Sequence, residues 1–301
     1  MDLSEKLAAA WARRDQLHGD PGTNAYRLFH GHGDGEPGLD VDRFGSAVVL
    51  WLRQPLDLDV SALCDFYEKR FGPELIIAKE GARDPGRVLL GSAPETAITV
   101  QEDGLYFGVD LLAAQNAGLF LDARPARRWL RTHSEGRRIA NLFAYTGSLG
   151  IAAFAGQALS IEHVDLQSGQ LRRARLNHEL NDQRVSDRDF QVLEAGRWLR
   201  QAVKKGRSFD GVILDPPPRS PKGRASFRRE RLYELAVKVL RREGWLLVFF
   251  NRRGLDLTEE EHELLTSTGG QLERFWEGVS GPDFFEKKSV NRLHFGAYRR
   301  C

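Results

Sequence analysis

RIANLFAYTGSLGIAAFAGQALSIEHVD, residues 138–165, is the stretch that decides the fold. RIANLFAY is an apolar run of strand length, GSLGIAAFAGQ opens a helix after a glycine turn, and LSIEHVDL returns to strand and ends in Asp165. A strand, a helix and a second strand in so short a stretch predict two parallel strands joined by a crossover helix.

The same alternation extends outward. RPARRWLRTH before it is helical; after it come a helix in SGQLRRARLNHELND, a strand in DFQVLEA, a helix in GRWLRQAVKKG and a strand in FDGVILDPP. A basic loop and helix to Leu240 come next, then the apolar strand GWLLVFF, a helix from about Thr258, and closing strands around GQLERFWEG and SVNRLHFGAYR. Strands alternating with helices imply an α/β, Rossmann-like, doubly wound and mostly parallel sheet, with ligands at the C-terminal strand edges. Upstream the pattern is α+β. Strand-like runs flank a Gly, Asp and Pro loop in AYRLFHGHGDGEPGLDVDRFGSAVVLWL, DVSALCDFYEKRFG has helical spacing, and ELIIAKEG and TAITVQEDGLYFGVDL add strands. The expected division is an N-terminal helix over 1–24, a small α+β domain over 25–123 with one helix against its sheet, and the α/β domain over 124–301.

With 301 residues, 41% hydrophobic and 29% charged, the chain can bury a proper core. No apolar run approaches the ~18 residues of a membrane span, and the start MDLSEKLAAAWARRDQ reads as an amphipathic helix, not an export signal, so a cytoplasmic protein away from membranes is expected. Cys64 and Cys301 have neither metal nor disulfide spacing. His30 and His32 stand in a Gly-rich loop without partners at ligand spacing, so no metal site is expected. The net charge of +2 hides an asymmetry: residues 1–121 carry 11 Lys or Arg against 19 Asp or Glu, and residues 122–301 carry 33 against 23. The later part is the candidate for a polyanionic partner.

Gly147 and Gly150 lie where a strand turns into a helix, a place that brings helix amides toward an anionic group or serves only as a turn. Asp165, 18 residues beyond Gly147, stands where this fold puts an acid for the two ribose hydroxyls, although it can equally cap the next helix. AYTGSLG lacks the G-x-G-x-x-G of a pyrophosphate cradle, which fits S-adenosylmethionine (SAM) better than NAD. Glu194, ending the third strand, would then accept from the adenine amino group. In GVILDPPPRS, residues 211–220, Asp215 ends a strand and the consecutive prolines stiffen the loop after it, presenting a carboxylate and a backbone carbonyl beside the methyl donor.

Taken together, GDGEPGLDVDRFG, GLFLDARPARRWL, NLFAYTGSLG, VDLQSGQLRRARLNHELND and ILDPPPRS resemble, in order and over about residues 25–301, the bacterial 23S ribosomal RNA methyltransferases of the cytosine-5 and guanine-N7 group. The resemblance implies a class I SAM-dependent methyltransferase and puts Asp122 of FLD near the cofactor. The cofactor set is Asp122, Asn141, Phe143, Tyr145, Thr146, Gly147, Asp165, Leu166, Glu194, Ala195 and Asp215, with Tyr145, Thr146 and Gly147 around the methionine part. Cytosine-type members begin with a PUA RNA-binding domain, whereas about two dozen residues precede the resemblance here.

Methylation at cytosine C5 needs a cysteine thiolate on C6. At the place of that cysteine this chain reads FFNRRG with Asn251, as in the guanine-N7 enzyme. Guanine N7 has an in-plane lone pair and needs orientation only. An exocyclic amine calls for an aromatic after the two prolines, where Pro218 stands, although Phe249, Phe250 or Phe227 offers a substitute. Asp215, Pro216 and Asn251 are therefore the expected catalytic residues, and a purine nitrogen of 23S rRNA the expected target.

RSPKGRASFRRER, residues 219–231, has six basic residues and one acid. Arg219, Lys222, Arg224 and Arg228 would hold phosphates and Phe227 would stack on an unpaired base; a solvated helix face is the competing reading. Arg124, with Arg127, Arg128 and Arg131, forms a second cluster and Arg252 with Arg253 a third. RNA is the expected partner, and a monomer and a homodimer both remain open. Three other readings stay in view: a methyltransferase of proteins or small molecules, a non-catalytic RNA-binding module, and a dehydrogenase.

Overall fold

The computed structural model describes residues 2–53, 58–81, 84–113, 116–217, 229–251, 257–288 and 291–301. The chain divides into two units, one of Met1–Arg124 with Ser280–Arg292, the other of Pro125–Val279 with Leu293–Cys301.

The first unit runs through α1 (Leu3–Arg13), α2 (Asp15–His18), β1 (Ala25–His30), α3 (Gly31–Asp34), β2 (Leu39–Phe44), β3 (Ala47–Leu52), α4 (Val60–Phe71), β4 (Leu75–Glu80), β5 (Arg87–Leu90), β6 (Ile98–Glu102) and β7 (Leu105–Val109). Its sheet has the order β1-β2-β3-β4-β5, with only the β3/β4 pair parallel, because α4 crosses between them. β6 and β7 form a separate hairpin. α1 starts at a capping box in which Asp2 and Glu5 exchange bonds. Three helices, not the expected one, share the apolar cluster of this sheet: Leu7 and Ala10 of α1, Leu17 of α2, and Leu63 and Tyr67 of α4 join Tyr26, Leu28, Val48, Leu50 and Ile76.

Beside that cluster lies a buried ionic one. Arg27 pairs with Asp42 at 2.5 Å and Asp40 at 2.7 Å, and Arg14 pairs with Asp34 at 2.7 Å. Removing either partner would strand a buried charge, which is strongly destabilising. Burial works to raise the Asp40 carboxyl, but Arg27, His30 and Arg53 hold it well below the usual carboxylate range.

The second unit comprises α5 (Arg124–His133), β8 (Arg138–Leu142), α6 (Ser148–Ala155), β9 (Ser160–Asp165), α7 (Ser168–Glu179), β10 (Phe190–Val192), α8 (Ala195–Lys204), β11 (Phe209–Leu214), α9 (Arg229–Val239), β12 (Leu240–Phe250), α10 (Leu257–Ser267), β13 (Leu272–Val279) and β14 (His294–Arg300). The sheet order is β10-β9-β8-β11-β12-β14-β13. The first five strands are mutually parallel; β14 runs antiparallel to its two neighbours β12 and β13, so β13 points the same way as the first five. Strand order reverses between β8 and β11, the switch point at which sheets of this kind bind ligands. Ala140, Leu142, Val212, Leu214, Leu246 and Val248 pack on Trp198, Leu199 and Leu232 of the helices.

The expected uninterrupted second domain is thus broken: Ser280–Arg292, between β13 and β14, belongs to the first unit. The fully buried Asp283 explains this, accepting from the Arg27 amide at 3.1 Å and from Arg124 Nη2 at 2.5 Å, while its carbonyl receives Arg14 Nη2 at 2.5 Å.

Candidate cofactor and acceptor site

The parallel strands deliver Asp165, Glu194, Asp215 and Asn251 to one sheet edge, at or just past the ends of β9, β10, β11 and β12. The turn after β8 is the most distorted backbone there. Phe143, Tyr145 and Gly147 all have positive φ, at 60°, 49° and 81°. Two non-glycine residues in the left-handed region within three positions are costly, and such strain gathers at ligand sites. The turn is fastened by Asp165, whose Oδ2 accepts from the Tyr145 amide and Oδ1 from the Gln167 amide, each at 2.9 Å. Asp165 therefore ties two strand-end loops together and remains half-buried at the rim. Leu166, next to it, is 50% exposed, an apolar surface at a polar edge.

α6 begins at Gly147 without a side-chain cap, so its first amides point out of the helix unclaimed by a cap. This is a preformed place for a carboxylate. The glycines themselves answer to packing. A Cβ on Gly147 would lie 2.8 Å from the Ala174 Cβ, and one on Gly150 would lie 2.3 Å from His163 Cε1. Gly150 is thus set by the neighbouring histidine and not by a ligand.

Burial corrects several sequence expectations. Asn141 is fully buried, its Nδ2 3.2 Å from His163 Nδ1, and Thr146 is fully buried with its carbonyl accepting from Asn177 Nδ2 at 3.0 Å. Neither side chain is exposed at the rim. Glu194 is the N-cap of α8, accepting from the Gly196 and Arg197 amides at 2.8 and 2.7 Å, and Ala195 is the buried first residue of that helix. A carboxylate has further lone pairs, so the cap leaves Glu194 acceptor capacity. Asp122 sits in a single 3₁₀ turn, Leu121–Ala123, of the first unit, where its charge acts on Arg27. Arg124 does not serve as a phosphate contact: it is 2% exposed and bound to Asp283. Arg127 is likewise buried, 3.4 Å from Ser148 Oγ, while Arg128 and Arg131 are exposed. Phe249 and Phe250 are core residues packed on Phe295 and Tyr298, so neither stacks a base. Arg219, Lys222, Arg224, Phe227, Arg228, Arg252 and Arg253 lie outside the described residues.

Around Asp215 a polar network appears that the sequence did not reveal. Asn251 Nδ2 donates to the Pro216 carbonyl at 2.8 Å and to Asp215 Oδ1 at 3.3 Å. Arg229, at the start of α9, donates through Nη2 to Asn251 Oδ1 at 2.6 Å and to the carbonyls of Pro217 at 3.1 Å and Pro216 at 3.4 Å. Its Nη1 meets Glu260 of α10 at 3.3 Å, and both residues are buried. Arg229 was visible in the sequence only as one cation of a basic run. An acid on the first turn of the following helix, Glu260, was the one available hint that an arginine would turn inward.

A second buried pair lies behind the β8 turn. His163 Nε2 and His178 Nε2 are 2.9 Å apart. With Asn141 Nδ2 donating to His163 Nδ1, the neutral tautomers form a chain in which His163 donates to His178. Burial pushes His163 well below its ordinary pKa and His178 down to about 4. The unfolded state therefore binds more protons between about pH 6.5 and 4, and stability is full above that window and lost as pH falls through it. His178 alone accounts for on the order of 3 kcal/mol. Chemical denaturation at pH 7.5 and 5 should show this loss, with a shallower pH slope in His178→Gln; an unchanged slope in that variant would contradict the assignment.

Known methyltransferases share sequence and fold with this chain. The family model of S-adenosylmethionine-dependent methyltransferases matches residues 27–256. The ribosomal RNA large subunit methyltransferase I of Photobacterium profundum is 32% identical over 260 residues, 81% of this chain, and the protein of that name from Erwinia tasmaniensis is 31% identical over 284 residues, 89% of this chain. The matched regions span 65% and 71% of those relatives. Two solved structures share the fold. One, described as a methyltransferase complexed with S-adenosylhomocysteine, has a TM-score of 0.88 at 21% identity and covers 98% of this chain and 80% of its own. The other, a SAM-dependent methyltransferase from Agrobacterium tumefaciens, has a TM-score of 0.70 at 16% identity and covers 93% and 91%. With a switch-point edge built from Tyr145, Asp165 and Asp215 and a family match across most of its length, the chain belongs to the S-adenosylmethionine-dependent methyltransferases.

Proposed function

We propose that the chain is a cytoplasmic RNA methyltransferase that transfers the SAM methyl group to a purine ring nitrogen of large-subunit ribosomal RNA, with guanine N7 as the acceptor. One observation carries the choice of atom. The Pro216 carbonyl, the backbone acceptor an exocyclic amine would need, is already engaged by Asn251 and Arg229. An in-plane lone pair asks for no such acceptor and has no proton to lose. A carbon-5 reaction lacks its nucleophile at these strand ends: Cys64 lies within α4, and Cys301 follows β14 at the opposite edge of the sheet from Asn251.

The residues at the edge fit the cofactor of the family. Its adenosyl ribose would meet Asp165, its adenine would lie against Leu166 with its amino group toward Glu194, and its carboxylate would face the open amides of α6 beyond Tyr145 and Gly147. Bound SAM supplies a methyl group on a sulfonium, an electrophile that needs no activation. Asp215, Pro216 and Asn251 hold the base. Because N7 methylation turns a neutral purine into a cation, a fixed carboxylate at Asp215 favours the charge that develops.

RNA as the acceptor is supported by the excess of Lys and Arg over residues 122–301 and by what the two named relatives are called. The test is transfer from methyl-labelled SAM to 23S rRNA across salt. If phosphates drive binding, the KM for RNA rises by roughly tenfold or more between about 50 and 200 mM salt. Label entering protein or a small molecule instead, without that dependence, would contradict the proposal.

A further inference from the structure

We propose that Arg229, held by Glu260, is a positioning residue that sets the orientation of the Asn251 amide and closes the Asp215 turn against acceptors that carry hydrogens. The inference deepens the reading of this edge as the acceptor site and rests on it. An asparagine amide can point either way, and only one way puts its NH2 toward Asp215 and the Pro216 carbonyl. Arg229 decides the matter, because a guanidinium donates only and sits 2.6 Å from Asn251 Oδ1. The oxygen must face Arg229, so Nδ2 must face Asp215 Oδ1 and Pro216 O.

The geometry of the cation suits this task. A planar fork reaches three acceptors through Nη2, Asn251 Oδ1 and the carbonyls of Pro216 and Pro217, while Nη1 faces Glu260. A lysine has the charge but not the fork. Proline nitrogens donate nothing, so the backbone of the turn offers acceptors at Pro216 and Pro217 that only outside donors can satisfy. Arg229 and Asn251 are those donors. Arg229 is 5% exposed and Glu260 2%, so the fork cannot swing into solvent to bind phosphate, as its place in the basic run had implied. It makes no contact with the base: it acts through Asn251 and the turn.

Two measurements test this, one independent of turnover. The side-chain Nδ2 protons of Asn251, followed by NMR hydrogen exchange in the full chain, should be protected in the wild type and lose that protection in Arg229→Lys and in Arg229→Gln. Unchanged protection in both would overturn the inference whether or not the chain methylates RNA. For turnover, Arg229→Lys, which keeps a charge for Glu260, and Arg229→Gln should each lower kcat about 50-fold with KM and SAM affinity within about threefold. If Arg229 acts through Asn251, the double variant with Asn251→Ala falls no more than about threefold below Asn251→Ala alone, whereas multiplied losses would overturn the inference. Absence of transfer to RNA by the wild type would overturn the proposed function and leave the exchange measurement to decide on Arg229.

Discussion

Asp215→Ala should lower kcat for methyl transfer by about 1,000-fold and SAM affinity by less than about tenfold. The carboxylate comes directly after β11 at the switch-point edge, and Asn251 Nδ2 fixes one of its oxygens from 3.3 Å. Its proposed work is electrostatic, holding negative charge where the methylated purine becomes positive. Asp215→Asn keeps the shape and removes the charge, so it separates the two contributions. A loss of about 100-fold in that variant would assign most of the effect to charge. Single-turnover transfer together with calorimetric SAM binding makes the distinction. Unchanged turnover in Asp215→Ala, or a loss seen wholly in SAM binding, would remove Asp215 from the acceptor site.

Gly150→Ala is expected to cost about 3 kcal/mol and to lower Tm by roughly 10 °C. In most helices this exchange stabilises, since alanine restricts the unfolded chain. Here the new Cβ would lie 2.3 Å from His163 Cε1 and 2.9 Å from Nε2. The ring cannot yield, because it is held by Asn141 at 3.2 Å and His178 at 2.9 Å and stacks on Phe190 at 5.2 Å. Gly169→Ala, in α7, is the control: its nearest neighbour is Arg172 Nη2 at 3.8 Å, and it should be neutral or mildly stabilising. Equal effects of the two substitutions would show that the contact behind Gly150 relaxes easily.

Periodicity and strand ends were the features legible in the sequence. The alternation after residue 124 pointed to the doubly wound sheet because strand and helix repeats differ, and Asp165 and Asp215 stood out because each ends an apolar strand. Partners brought in from afar were not legible. Nothing local in SGPDFFEKKSVNR announces that it joins the first unit, since the reason is Asp283 meeting Arg27 and Arg124. His30 showed no partner at ligand spacing, and its neighbours Asp40 at 3.4 Å and Glu286 at 3.2 Å come from other segments. Clusters of arginine misled for a related reason. Arg124, Arg127 and Arg229 look like surface charge in one dimension, and each is buried against a specific acceptor. One pattern did carry a signal: Asp40 and Asp42, two apart on β2, must share a face of a buried strand, which calls for a cation such as Arg27.

The proposed reaction at this edge is transfer of a methyl group to an unprotonated ring nitrogen of a base in RNA. The most direct measurement is to incubate the purified chain with methyl-labelled SAM and ribosomal RNA from a strain lacking it, digest to nucleosides and identify the labelled product by mass. The expected product is 7-methylguanosine. Label in an amine-methylated purine would contradict the role given to the occupied Pro216 carbonyl, and 5-methylcytidine would contradict the argument from the missing cysteine.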